Sequence, residues 1–393
     1  MSKTKSVQDI NERIKTGEAV VLTAEEMSDF VDENGEEEAL SEVDVVTTAT
    51  FGAMCSSGAF LNFGHSDPPI RMERVWLNDV LAYAGIAAVD VYLGATEESE
   101  SEGRSYGGAH VIQDLLRGEK VHLRAHARGT DGYPRKEIDR YITLDDLNQA
   151  YLYNPRNCYQ NYSVAVNSTN KMIYTYMGPL YPDFGNASYS SAGQLSPLLN
   201  DPYYKTIGVG TRIFLGGAQG YISWEGTQHN PSTARNLKGI PVGGSGTIAV
   251  TGDLKEMSPE YIAAASIKNY GVSMYVGIGI PIPITDIEMV RHTAVSDKDI
   301  DATVVDYGGA SRNNPTFGTV NYQQLRSGSI TLNNGVEVPT APLSSYYKSR
   351  KIAGELKNWI EDGDFLLSEP VQKLSTEREF KPMVEGKGAD IDG

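Results

Sequence analysis

The stretch TTATFGAMCSSGAFLNFGHSDPPIRM, residues 47–72, decides how this chain is read. It holds Cys55, one of only two cysteines in 393 residues. Gly52, Ala53, Ser56, Ser57, Gly58 and Ala59 crowd that cysteine. Small residues bury little apolar surface, so this is not the composition of a core strand. It suits a turn in which backbone N–H groups approach a ligand. Just upstream, Val43–Phe51 is apolar and β-branched and reads as a buried strand. A nucleophile at the carboxyl end of a strand in an open α/β sheet lies where ligands tend to bind. The stretch is therefore read as a loop that presents a thiol. The competing reading is that Cys55 is a small buried hydrophobe, a common fate of free cysteine.

Working outward, the whole chain carries 34 basic and 51 acidic residues, a net charge of −17. That balance argues against nucleic acid and against an anionic membrane surface, both of which call for a basic face. The start, MSKTKSVQDI, has no apolar core of a signal peptide, and no run of 18 apolar residues occurs. Two cysteines make no disulfide framework. The expectation is a cytoplasmic protein with a sizeable core, in two subdomains.

Residues 1–44 hold 13 acids and 4 bases and read as an acidic helical segment. Ser6 caps a first helix through Lys15, ended by Gly17, and Thr23-Ala-Glu-Glu26 is a capping box. The acidic run Glu36–Glu42 reads as a solvated loop. Residues 45–370 form the catalytic core, with a possible subdomain boundary near 179–202. Strands are expected at Val89–Gly94, Lys120–Ala127, Lys171–Met177, Thr211–Leu215, Thr247–Thr251, Val272–Ile280 and Ala302–Asp306. Helices are expected at Gly107–Arg117, Thr143–Ala150, Ser258–Tyr270 and Ser344–Ile360, with a short one capped by Thr285. Thr96–Arg104 has the composition of an exposed loop. Pro179–Pro202, rich in Pro, Gly, Ser and Asn, reads as a long surface connection. Asn333-Asn-Gly335 is a hairpin turn. Residues 371–393 read as a polar tail. Strands interleaved with short helices make an α/β protein of mixed sheets with Gly-rich loops, whose strand order is unknown.

Other motifs carry less. His122 and His126 share one strand face with Arg124, but no zinc-type Cys/His cluster exists, so no metal is expected. The glycine clusters at 208–210, 215–220 and 241–246 have no P-loop Lys-Ser/Thr and no full dinucleotide fingerprint. They read as tight turns rather than phosphate cradles.

The segment TFGAMCSSGAFLNFGHSDPPIRM resembles the signature of the homocysteine biosynthesis family of anaerobic archaea and bacteria. The likeness continues through GTDGYPRKE, NPRNCYQNY, GVGTRIFLGGAQGYISWEGTQHNP and DYGGASRN, from about residue 5 to about residue 370. The resemblance implies an L-aspartate semialdehyde sulfurtransferase, which replaces the aldehyde oxygen with sulfur and reduces the product to L-homocysteine. Some members append a regulatory domain pair at the C-terminal end, and this chain stops short of one.

On that reading Cys55 carries sulfur as a persulfide, with His65 or Arg71 supplying positive potential if the loop folds back. A guanidinium suits the substrate's carboxylate, and Arg71, Arg135 and Arg156 lie in family-like motifs. Asp67 or Asp131 would meet the ammonium. Many members carry a second cysteine where this chain has Gly132, so either Cys55 acts with exogenous sulfide or reductant alone, or Cys158 serves as the second thiol. No flavin, nicotinamide or iron–sulfur motif is present, and none of these cofactors is expected on this chain. The resemblance implies electrons from a separate small ferredoxin-like iron–sulfur protein, and Lys348, Arg350 and Lys351 are a candidate docking patch. A homo-oligomer is possible. Two alternatives stand beside this reading. One is a cysteine-nucleophile acyl or amide transferase or hydrolase using His229 as base, and the other is a non-enzymatic binding protein.

Overall fold

The computed structural model describes residues 4–309, 314–381 and 383. Residues 310–313 of the DYGGASRN motif and residues 382 and 384–393 of the expected tail lie outside the described residues. The architecture is mixed α/β, as the alternation of strand and helix patterns implies, with strands in the majority.

A ten-stranded sheet organises the molecule. Its longest ladder pairs Val45–Ala53 antiparallel to Gly271–Pro283 over nine residues, from Val45↔Pro283 to Ala53↔Tyr275. Both strands are buried along nearly their whole length. The sequence GIGIPIP explains how the longer strand packs. Ile278, Ile280 and Ile282 fill the core on one face. Gly277 and Gly279 clear the other for the helix Tyr346–Glu361, where a Cβ would stand 2.9 and 3.1 Å from Ile352. On the far flank, Gln149–Asn157 lies between Ile248–Asp253 and Gly58–Asn62, antiparallel to both.

Two six-stranded sheets flank this one. The first is antiparallel and runs in the order Glu137–Ile142, Val121–His126, Arg74–Leu77, Val80–Ala82, Glu98–Ser99, Gly103–Gly107. The second is mixed and has its own core, built from Val164, Val166, Ala187, Tyr189, Val304 and Tyr322 among others. Its strands come from two stretches far apart in sequence, 164–189 and 301–342.

The expected caps of the first two helices hold. Ser6 caps Val7–Thr16, Gly17 ends it at φ +70°, and Thr23 and Glu26 form the capping box of Ala24–Asn34. Gly216 and Gly217, at φ +61° and +92°, make the two-residue turn between Arg212–Leu215 and Ala218–Glu225.

Five expectations are corrected. Glu36–Glu42 is a helix, because Ala39 and Leu40 find a buried seat on one side of the acidic run. Thr143–Ala150 shrinks to a 3-10 turn at Leu144–Asp146, since Gln149 onward is taken by sheet pairing on both sides. Ser258–Tyr270 is a turn followed by the strand Ile262–Ile267. Alanine's helix preference amounts to a few tenths of a kcal/mol per residue. The pairing of Ile262–Ile267 with Gly271–Val276 outweighs it. Pro179–Pro202 is no surface connection, because it supplies the strand Ala187–Tyr189 and a run of buried residues from Leu195 to Asp201. The short helix Ile287–Thr293 is capped by Asp286 rather than by Thr285. No helix among the described residues is long and apolar enough to cross a membrane.

Candidate active site

Cys55 sits in the turn between the strands Val45–Ala53 and Gly58–Asn62. The turn is held from inside, with the Met54 N–H donating to Met274 O at 2.7 Å and the Ser57 hydroxyl to Met54 O at 3.0 Å. Asn154, fully buried, fastens it from the neighbouring strand. Its Nδ2 donates to Ser57 Oγ at 2.8 Å, and its Oδ1 accepts from Ser56 Oγ at 3.3 Å and from the Arg156 N–H at 2.9 Å. Beyond Asn154 the pairing with Ile248–Asp253 slips before resuming at Asn157. Such an irregularity re-aims side chains next to a site. Arg156 falls within it.

The turn opens onto a cavity of about 670 Å³ between the main core, which holds Cys158, and a small apolar cluster that includes Met177, Tyr162 and Tyr307. Cys55, Arg156 and Cys158 all line it. Arg156 is the one cationic side chain among its described lining residues, which include no Asp, Glu or His. Arg156 also makes no ion pair among the described residues, so its charge is available to a bound anion. Cys55 Sγ lies 3.5 Å from Ser273 Oγ and 3.8 Å from the Tyr270 hydroxyl. Ser273 is buried on the long strand Gly271–Pro283, and Tyr270 stands in the turn that leads into it. Asn269 takes the left-handed conformation of that turn at φ +55°. Burial, followed by the charge and hydrogen bond of Cys55, pushes the Tyr270 pKa up to about 12, and the Arg156 guanidinium opposes the shift.

The opposite wall is aromatic. The Tyr162 and Tyr307 hydroxyls each lie 2.9 Å from the Tyr176 hydroxyl. Burial raises all three pKa values well above the ordinary phenol range, so these groups are neutral donors. Tyr159 packs edge-on against Tyr162, and its pKa is raised by burial while Arg156 lowers it. Cys158 is buried with the main core and burial pushes its thiol far up, which keeps it protonated.

The other sequence candidates stand elsewhere. Gly58–Asn62 carries the chain roughly 15 Å away from Cys55 at a strand's rise per residue, so the loop does not fold back on the thiol. His65 is exposed and stacks on Tyr133 with ring centroids 6.1 Å apart. Arg135 donates to the backbone carbonyls of Asp67 and Pro68 at 2.6 and 3.0 Å, a role in holding the loop. Arg71 lines a separate open cleft with Glu73, Arg128 and Tyr133. Asp131 and Gly132 lie in the Thr130–Tyr133 turn, away from the Cys55 cavity.

His229 is buried with Nδ1 accepting from the Thr247 N–H at 3.0 Å and Nε2 donating to Ser375 O at 2.8 Å. It has no nitrogen free to act as a base. His122 pairs with Asp139 at 2.8 Å and His126 with Glu137 at 3.7 Å. Lys348 and Lys351 are both tied to Glu260 and Arg350 to Glu25, so the C-terminal helix offers no free basic patch at those residues. Sequence reasoning passed over Asn154, Tyr159 and Tyr162, although NPRNCYQNY contains all three. Nothing in the sequence pointed to Tyr270 or Ser273, which reach the thiol from more than 200 residues away.

Residues 19–367 match the family described as homocysteine biosynthesis enzyme, sulfur-incorporation. The L-aspartate semialdehyde sulfurtransferase of Methanosarcina acetivorans is 55% identical over 387 residues, which cover 98% of this chain and 75% of that protein. The L-aspartate semialdehyde sulfurtransferase of Methanocaldococcus jannaschii is 52% identical, covering 96% of this chain and 75% of that protein. An uncharacterised protein of Methanothermobacter thermautotrophicus is 30% identical, covering 82% and 72%. No solved structure matches.

Proposed function

The chain belongs to the family of sulfur-incorporating homocysteine biosynthesis enzymes, and we propose that it acts on L-aspartate semialdehyde with Cys55 as the sulfur carrier. The observation that carries this reading is one cavity holding an accessible thiol and a single unpaired guanidinium. The thiol suits sulfur transfer. Arg156 suits the substrate's α-carboxylate, which it can grip with two parallel N–H donors. With no carboxylate among the described lining residues, Asp67 and Asp131 drop out as partners of the ammonium, and the tyrosine faces are left to meet it.

The bookkeeping of the reaction places further demands on the site. An aldehyde, hydrogen sulfide, two electrons and two protons give a thiol and water. If the sulfur rides on Cys55 as a persulfide, two further electrons cleave the S–S bond. That sulfur must reach Cys55 at the zero-valent level, as polysulfide supplies it, because sulfide itself adds to a thiolate only if an oxidant removes two electrons. The electrons are assigned to a separate small iron–sulfur protein. Cys158, buried and held protonated, is a poor relay between that donor and Cys55.

The test loads the protein anaerobically with polysulfide, removes the excess, adds L-aspartate semialdehyde and titanium(III) citrate, and reads homocysteine by mass. Wild-type protein should form it and Cys55→Ser should not. Arg156→Met should raise KM for the semialdehyde roughly 10- to 100-fold, the usual cost of a charged hydrogen-bond partner. Full turnover by Cys55→Ser would refute the reading.

A further inference from the structure

Turning an aldehyde oxygen into a leaving group requires a proton donor beside the nucleophile. The described lining of the cavity holds no histidine, aspartate, glutamate or lysine, the usual sources. Arg156 is too weak an acid and is engaged with the carboxylate. Cys158 makes no hydrogen bond with Cys55 among the described residues and is buried in the core. The groups in contact with the thiol are two hydroxyls, Ser273 at 3.5 Å and Tyr270 at 3.8 Å. An aliphatic hydroxyl is a far weaker acid than a phenol. Ser273 is also fully buried behind the thiol, whereas Tyr270 lines the cavity itself.

Resting on the persulfide reading of Cys55, we propose that Tyr270 is the catalytic residue that protonates the aldehyde oxygen. A persulfide sulfur stands about 2.05 Å beyond Sγ. Tyr270 and the terminal sulfur therefore face the same space, where the aldehyde must lie. The terminal sulfur attacks the carbonyl carbon and a C–S bond forms. The π pair of the C=O bond moves onto oxygen, and that oxygen takes the Tyr270 proton. The products are a hemithioacetal disulfide on Cys55 and a phenolate, which recovers its proton from water. No electrons enter or leave in this step. The environment keeps Tyr270 ready for it, because burial and the neighbouring thiol hold the phenol protonated throughout the neutral range. Its place in a short hairpin turn, braced by the Arg104 guanidinium on Asn269 O at 3.2 Å, fixes the hydroxyl relative to the thiol.

The experiment compares wild-type, Tyr270→Phe and 3-fluorotyrosine-270 protein. Each is loaded anaerobically with polysulfide, whose zero-valent sulfur passes to the thiolate as a shorter polysulfide leaves, freed of excess, checked by intact mass for one added sulfur on Cys55, then mixed with L-aspartate semialdehyde and saturating titanium(III) citrate. The proposal predicts that Tyr270→Phe gains the sulfur normally but forms homocysteine at least about 100-fold more slowly. The fluorinated variant should stay active, with its alkaline loss of rate moved to lower pH. Equal rates for Tyr270→Phe and wild type would overturn the proposal. So would a Tyr270→Phe protein that fails to take up sulfur, since Tyr270 would then only position the thiol. If wild-type protein itself gains no sulfur on Cys55, the persulfide reading falls and takes the proposal with it.

Discussion

Cys55 and Cys158 line the same cavity, yet their surroundings give them opposite chemistry. Cys55 stands half-buried in a turn of small residues, and Cys158 is 3% exposed within the core. Alkylation of the native protein with iodoacetamide should therefore modify Cys55 alone, with Cys158 reacting only after unfolding. Peptide mapping reads this directly, and rapid native labelling of Cys158 would contradict the burial. That Cys55 stands in a turn rather than in a core strand was legible, because the small residues around it bury little apolar surface. Its neighbours were not. His65 and Arg71 are close in sequence and far in space, because an extended strand starts three residues after the cysteine. Arg156 was one of three arginines that the sequence could not tell apart. Only the cavity separates it from Arg135, which is spent on loop carbonyls, and from Arg71, which lines another cleft.

Among the elements, the pair Val45–Ala53 and Gly271–Pro283 sets where the thiol lies, and the helix Tyr346–Glu361 covers both strands. That packing needs bare backbone at Gly279, where a Cβ would meet Ile352 at 3.1 Å and Leu356 and Phe214 at 3.2 Å. Gly279→Val should destabilise the fold by about 1–3 kcal/mol, the usual cost of overpacking a core. The measurement is the urea midpoint at unchanged m-value, and an unchanged midpoint would contradict the packing. Strands and helices with a single strong pattern, such as Val45–Ala53 and Tyr346–Glu361, were legible in the sequence. The misread Ser258–Tyr270 shows the limit. Its Ser-Pro-Glu start and alanines favour a helix locally, but the next segment offers a strand to pair with, and no local signal records that. The error mattered, because this hairpin is what brings Tyr270 to Cys55.

At the scale of the whole molecule, the cavity lies between the main core and a small apolar cluster of Ala165, Met177 and Leu180, on which Tyr162 and Tyr307 of its aromatic wall pack. The mixed α/β class could be foreseen from alternating patterns. The second core could not, because it joins residues 164–189 to residues 301–342. Burying tyrosines has a pH signature. Tyr162, Tyr176 and Tyr307 have folded pKa values raised above the free-chain value of 10.0, so the folded state holds their protons longer. Their stabilisation is complete below that value and is lost as pH rises toward the folded values. Tm should stay level in this respect between about pH 7 and 9 and fall above about pH 10. A spectrophotometric titration in which every tyrosine ionised near pH 10 in the native protein would contradict this. The central claim, that the folded enzyme carries sulfur on Cys55, is tested most directly by intact-mass analysis after anaerobic treatment with polysulfide and removal of the excess, beside Cys55→Ala. The account predicts one added sulfur atom, removed by reductant and absent from the variant. The same gain in Cys55→Ala, or no gain in either protein, would contradict it.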